Sequence, residues 1–212
     1  WRPLENQKQL RLSMFALDNP KGFGLIQRDR AFSSYEDLET HQQRRPSAWI
    51  TPIGSWGKGS VKLTEIPTNN EYNDNIVAYW VPEEKLRPGT PRTFEYWLDW
   101  NKEGPQINNL AKVVSTRLAS DKKHGKRQFV IDFSGQELME LSKSQTIEAN
   151  IWTDTHSRYN SQHLTPNPEI DGVRLTINLD KDQDSEDRSE IRVRLWHKGK
   201  PLSEIWTYLL EK

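Results

Sequence analysis

Between Glu71 and Asn75 the chain sets two carboxylates and two carboxamides in one short run, Glu71-Tyr72-Asn73-Asp74-Asn75, just ahead of the apolar segment Ile76-Val77-Ala78-Tyr79-Trp80. Glycosidic cleavage uses carboxyl groups: one protonates the leaving oxygen and another handles water. Cationic and aromatic residues crowd the stretch upstream, as Gln27-Arg28-Asp29-Arg30, Arg44-Arg45-Pro46-Ser47-Ala48-Trp49 and Trp56-Gly57-Lys58-Gly59. Sugars offer apolar C–H faces that stack on indole rings and hydroxyls that pair with charged or amide groups, so this mixture suits a carbohydrate cleft. Each residue also has an ordinary use. An Asp just before a strand closes a turn through its own backbone. Arg45 can pair with a neighbouring carboxylate, and a Trp such as Trp56 can fill a core. Residue types alone leave both uses open.

The elements that would position these residues are strands. Leu10 to Ala16, Val61 to Glu65 and Val173 to Leu179 alternate apolar and polar residues at period two. Ile76 to Val81, Phe94 to Trp100 and Phe129 to Phe133 are apolar on both faces and read as strands buried between layers. Turn residues separate the runs, among them Asn19-Pro20-Lys21-Gly22, Arg87-Pro88-Gly89, Asn167-Pro168 and Lys198-Gly199. Two short helices are predicted, Ser33 to Thr40 with Glu36 and Asp37 early, and Ser134 to Leu141 with Ser134 as its cap. Many short strands between frequent turns predict an all-β sandwich architecture.

The character of the chain changes after Trp100, where the polar stretch Asn101 to Lys112 contains Gly104-Pro105. We expect residues 1–104 to form the C-terminal portion of a larger β-sandwich, 105–112 a linker, and 113–212 a sandwich of immunoglobulin-like size. The opening Trp1-Arg2-Pro3-Leu4 does not resemble a native start, so an upstream segment, with a removed signal peptide, is expected.

Bulk composition narrows the classes. The 30 basic and 30 acidic residues balance, which argues against general binding to nucleic acid or to an anionic membrane. No apolar run approaches the ~20 residues of a membrane-spanning helix. With no cysteine there is no disulfide framework, thiolate metal site or thiol nucleophile. Hydrophobic residues make up only 33% of the chain, a lean supply that the 9 Trp partly offset because each ring buries a large area. Asp180-Lys181-Asp182-Gln183-Asp184 resembles the opening of a calcium loop, but Ser185 and Ile191 stand where Gly and Glu are required, so a solvated acidic hairpin is expected. The five histidines never fall at zinc-ligand spacing. No metal and no cofactor are expected.

One string is specific. Asn19-Pro20-Lys21-Gly22-Phe23-Gly24-Leu25-Ile26-Gln27-Arg28-Asp29-Arg30, followed by Arg45-Pro46-Ser47-Ala48-Trp49, Gly54-Ser55-Trp56-Gly57-Lys58-Gly59, Glu65-Ile66-Pro67 and Asn73 to Trp80, closely resembles the periplasmic glucan biosynthesis proteins G and D. The match continues more loosely through Phe129 to Gly135 and Leu202 to Tyr208, over essentially the whole chain. The resemblance implies a mutarotase-like β-sandwich followed by an immunoglobulin-like domain, in the periplasm, with β-1,2-linked glucan as the polymer handled. It implies an inverting glycosidase or related transglycosylase. Asp74 matches the general acid, and Glu71, Arg45, Gln42, Arg28 and Trp56 are expected on the substrate side. Gln42 replaces a tyrosine common in the family three residues before the arginine, which alters the expected shape of the site. The base would lie upstream of Trp1, so this chain by itself is expected to be inactive. The alternative is a non-catalytic glucan-binding protein assisting a membrane glucosyltransferase.

Overall fold

Period-two alternation becomes antiparallel sheet in both halves of the chain. The computed structural model describes residues 1–70, 73–105, 109–121, 124, 126–144, 146–154, 157–181 and 189–210, with backbone only at 157, 158 and 181. The chain divides into two units, Glu5–Ile107 and a second made of Trp1–Leu4 with Asn108–Lys212. The acidic hairpin loop and the centre of the expected linker lie outside the described residues. No helix among the described residues is long and apolar enough to cross a membrane. The architecture is all-β.

The first unit holds β1 (Arg11–Leu17), β2 (Phe23–Leu25), β3 (Ser47–Ile53), β4 (Gly59–Glu65), β5 (Ile76–Pro82) and β6 (Glu95–Asn101). They form two three-stranded antiparallel sheets, ordered β1-β4-β5 and β2-β3-β6. Register explains the alternation in β4. Val61, Leu63 and Glu65 share one face with their partners Phe15, Ser13 and Arg11 and with Trp80, Ala78 and Ile76. That face is covered, whereas Leu12, Met14, Val77 and Tyr79 on the other face are exposed. The core joins both sheets: Phe23, Trp56 and Val61, with Phe15, Ile50, Trp80 and Phe94 against them.

Two expectations change here. The run Phe94 to Trp100 is not sealed between layers: β6 is the outer strand of its sheet and every residue of it is exposed. The helix expected at Ser33 to Thr40 is instead a 3-10 turn at Phe32–Ser34 followed by tight bends, with Glu36 at φ 51°. Asp37 accounts for the break, because its carboxylate accepts the backbone N–H groups of Glu39 and Thr40 and the Thr40 hydroxyl, bonds that compete with helix.

The second unit contains β7 (Lys112–Asp121), β8 (Lys126–Ser134), helix α1 (Gln136–Ser142), β9 (Glu148–Thr153), β10 (Ser157–Asn167), β11 (Gly172–Lys181), β12 (Ser189–His197), β13 (Lys200–Pro201) and β14 (Trp206–Leu210). One sheet runs β10-β11-β8-β7; in the other, β12 pairs with β9, β13 and β14. Alternate residues of β8, β11, β12 and β14 meet in one core that includes Phe129, Ile131, Leu175, Ile177, Val193 and Trp206. The sheets interlock through aromatic edges, Phe129 lying 5.2 Å from Trp206 at 73° and 4.9 Å from Tyr208. The run Phe129 to Phe133 therefore has one core face, and Asp132 stands on the other. Helix α1 forms where predicted, but Ser134 does not cap it: its hydroxyl donates to the Ile170 carbonyl, and Gly135 occupies the cap position. Trp1 packs against this core and accepts the Thr207 N–H at 2.8 Å, which ties the first residues beside β14.

Candidate functional site

The loop that carries Asp74 is fixed from below by β-structure. Glu65 ends β4 opposite Ile76, the first residue of β5, and the next residue, Ile66, donates its N–H to the Asn75 carbonyl at 2.8 Å. Glu65 is 1% exposed and faces Arg11 across the ladder, with Nη1 to Oε2 at 3.6 Å; Arg11 Nη2 donates to Gln7 Oε1 at 2.6 Å. A buried ion pair thus floors this end of the sheet. Above it, Asn6 bonds the Thr68 backbone in both directions, Nδ2 to the carbonyl at 2.6 Å and N–H to Oδ1 at 3.2 Å. Asn73 Nδ2 donates to the Thr68 hydroxyl at 3.3 Å.

These bonds frame an open hollow of about 470 Å³ lined by Asn6, Thr68, Asn69, Asn70 and Asn75. Asp74 lies between Asn73 and Asn75 and is exposed to solvent. Carboxamides both donate and accept, and a hollow lined with them matches a ligand rich in hydroxyls. The asparagine run is visible in the sequence as Asn69-Asn70 and Asn73-Asp74-Asn75. Its convergence with Asn6, far away in the chain, is not. Glu71 lies outside the described residues.

Arg45, Gln42 and Arg28 sit on a second set of loops, held by Arg30. Its guanidinium donates to the carbonyls of Gln43 at 3.1 Å and Arg45 at 2.7 Å through Nη1, and to the Lys102 carbonyl at 2.9 Å through Nε. Nη2 reaches the hydroxyl of buried Ser47 at 3.4 Å, which also accepts the Gln27 N–H at 3.1 Å. Gln42 opens a 3-10 turn, Gln42–Arg44, entered through His41 at φ 50°. The Gln42 carbonyl accepts the Gln27 side chain at 2.8 Å and the Arg45 N–H at 3.1 Å. The result presents the Arg45 side chain to solvent, with Gln42 and Arg28 half-buried. Tyr35 closes the neighbouring turn by donating to the Asp29 carbonyl at 3.0 Å; burial, then the Asp29 charge, pushes its phenol above the usual value.

The two loop sets adjoin different sheets of the unit. β3 runs from Ser47 to Ile53, turns through residues 54–58 and returns in the other sheet as β4, which finishes at Glu65. The start of β3 follows Arg45, and the end of β4 precedes the Asp74 loop.

Trp56 lies in the turn between β3 and β4 and does not present a sugar platform. Its indole is 7% exposed and packs edge-on against Phe94 at 5.2 Å, Tyr96 at 6.2 Å and Phe23 at 6.4 Å. Its Nε1 donates to the Glu95 carbonyl and its N–H to Asn19 Oδ1. A ring enclosed in this way has no face left for a ligand. Gly24, in the same specific string, serves backbone approach: a Cβ there would run into the Ala48 carbonyl on β3.

The sequence profile described as "Periplasmic glucan biosynthesis protein, MdoG" matches residues 1–210 of the chain. Glucans biosynthesis protein G of Ralstonia nicotianae is 42% identical over 219 residues, covering 99% of this chain and 43% of that protein. The protein of the same name from Pseudomonas paraeruginosa is 42% identical over 222 residues, covering 99% of this chain and 42% of its own length. The chain thus spans about two fifths of the length of these relatives.

Proposed function

The chain belongs to the periplasmic glucan biosynthesis (MdoG) family, and from that membership we propose that its first unit binds β-1,2-linked glucan in the hollow beside Asp74, in the periplasm. Asp74 protonates the glycosidic oxygen, Asn6, Asn70 and Asn75 take the sugar hydroxyls, and Arg45 and Gln42 belong to the substrate side. The observation that carries this reading is the exposure of Asp74 directly before Asn75, which lines the amide-rich hollow. In an inverting reaction the second carboxyl stands roughly 6.5–9.5 Å away, leaving room for the attacking water. Glu71 and Arg28 belong to the substrate side of this proposal, and Trp56 acts only through the core.

The test is Asp74→Asn beside Asn75→Ala in the intact protein, assayed for retention and cleavage of linear β-1,2-glucan. Asp74→Asn should lower turnover by about 100-fold or more while glucan is still retained. Asn75→Ala should weaken retention. Unchanged turnover in Asp74→Asn removes it from the acid role.

A second reading is glucan binding without cleavage, in support of a membrane glucosyltransferase. The lining of the hollow favours it, because Asn6, Thr68, Asn69, Asn70 and Asn75 contribute no carboxylate. Intact protein that retains glucan and leaves its length unchanged would select this reading.

A further inference from the structure

The second unit has an open groove that the site above does not use. It runs between β9 and β10, each an edge strand of its own sheet among the described residues. A free edge leaves one row of backbone N–H and C=O groups without a strand partner. The groove encloses about 380 Å³ and is lined by Ala149, Asn150, Ile151, Trp152, Tyr159 and Gln162, within the roughly 300–1,000 Å³ typical of ligand clefts.

Its composition separates floor from walls. Ala149 and Ile151 pack against the core from one face of β9, and Asn150 and Trp152 stand on its other face at the rim of the groove. Trp152 is 47% exposed and Tyr159 40%, so both rings have free area. Among the described residues, the side chains of Asn150, Trp152, Tyr159 and Gln162 make no hydrogen bond, and neither ring packs on another aromatic. A β-bulge between Tyr159 and Ser161 turns β10 locally out of register with β11, a device that re-aims side chains at a sheet edge. Among the described residues, two half-exposed rings and two amides flank the gap between the two sheet edges, giving the groove both apolar and polar lining. A sugar chain has the same character, with C–H faces to stack and hydroxyls to pair.

We propose that this groove is an accessory glucan-binding site, where Trp152 and Tyr159 stack on sugar rings and Asn150 and Gln162 take hydroxyls. It would hold the polymer at a place separate from the hollow beside Asp74. This inference rests on the glucan reading of the family and adds a second site to it.

The experiment uses the 212-residue chain and affinity electrophoresis in gels containing linear β-1,2-glucan, with dextran as the control polymer. Trp152→Ala and Tyr159→Ala should each weaken retention by roughly threefold to tenfold, the scale of one lost aromatic contact. Trp152→Phe should keep most of it. Both changes remove half-exposed rings, and unchanged far-ultraviolet circular dichroism excludes misfolding as the cause. Asn70→Ala with Asn75→Ala probes the hollow independently. Retention lost only with the groove variants supports the groove and overturns the hollow; loss with both sets supports both. Retention lost only with the hollow variants overturns the groove and leaves the hollow standing. Equal retention of wild type by dextran, or no retention by either gel, also overturns the groove.

Discussion

Arg174 on β11 grips Asp132 on β8 through both carboxylate oxygens, Nε to Oδ1 at 2.8 Å and Nη2 to Oδ2 at 2.9 Å. The two residues are register partners, so the ladder itself brings them together. Asn167 and Arg117 add weaker contacts, at 3.4 and 3.3 Å. Burial alone would raise the Asp132 pKa. The hydrogen bonds and charge of Arg174, aided by Asn167 and Arg117, outweigh it and hold the carboxyl below its usual value.

The direction fixes a pH dependence. Because the folded pKa is the lower one, the pair contributes fully above the unfolded aspartate value of about 4 and fades as pH falls through the folded value. Asp132→Asn removes that titration, so its stability should change less than wild type's as pH drops below about 4. At pH 7, Arg174→Met should cost about 3 kcal/mol and Asp132→Asn about 1. The first leaves a carboxylate at 3% exposure with weaker partners; the second leaves a guanidinium that is 42% exposed and solvated. Urea unfolding from pH 2.5 to 7 measures both, and parallel pH profiles for variant and wild type would refute the assignment.

Arg30 is a positioning residue for the Arg45 loop. Lys at position 30 keeps the charge but loses the fork that reaches the Gln43, Arg45 and Lys102 carbonyls together. Arg30→Lys should speed hydrogen exchange of the Arg45 amide about tenfold, the equivalent of roughly 1.4 kcal/mol of local stability. Exchange on the core strand β4 should stay as it is. Equal rates at Arg45 in both proteins would show that the loop holds itself.

Trp56 is a core residue, and the tryptophans of the first unit should divide accordingly. Trp56→Ala should cost about 3–5 kcal/mol. Trp97→Ala, at a ring 68% exposed, should stay within about 0.5 kcal/mol. Denaturant midpoints followed by near-ultraviolet circular dichroism separate the two, and similar midpoints would contradict the burial described here.

Much of this protein could be read without coordinates because the signals are local. Alternation at Val61 to Glu65 and Val173 to Leu179 encodes strands wherever the chain lies, and Asn167-Pro168 or Lys198-Gly199 encodes a turn through its own backbone. The string from Asn19 to Trp80 carries the family for the same reason: it is a property of order along the chain. Burial is different, because it depends on what packs opposite. Phe94 to Trp100 and Phe129 to Phe133 look alike as text, yet β6 is an outer strand with every residue exposed, while β8 sits inside a four-stranded sheet. Trp56 and Trp152 carry the same indole, and only the surrounding rings enclose the first. Asn6 meets Thr68, and Arg30 meets Lys102, across separations no local pattern encodes. The chemistry available was written in residue types. Which groups meet, and which face water, was decided by strand register and by the sheets that close over them.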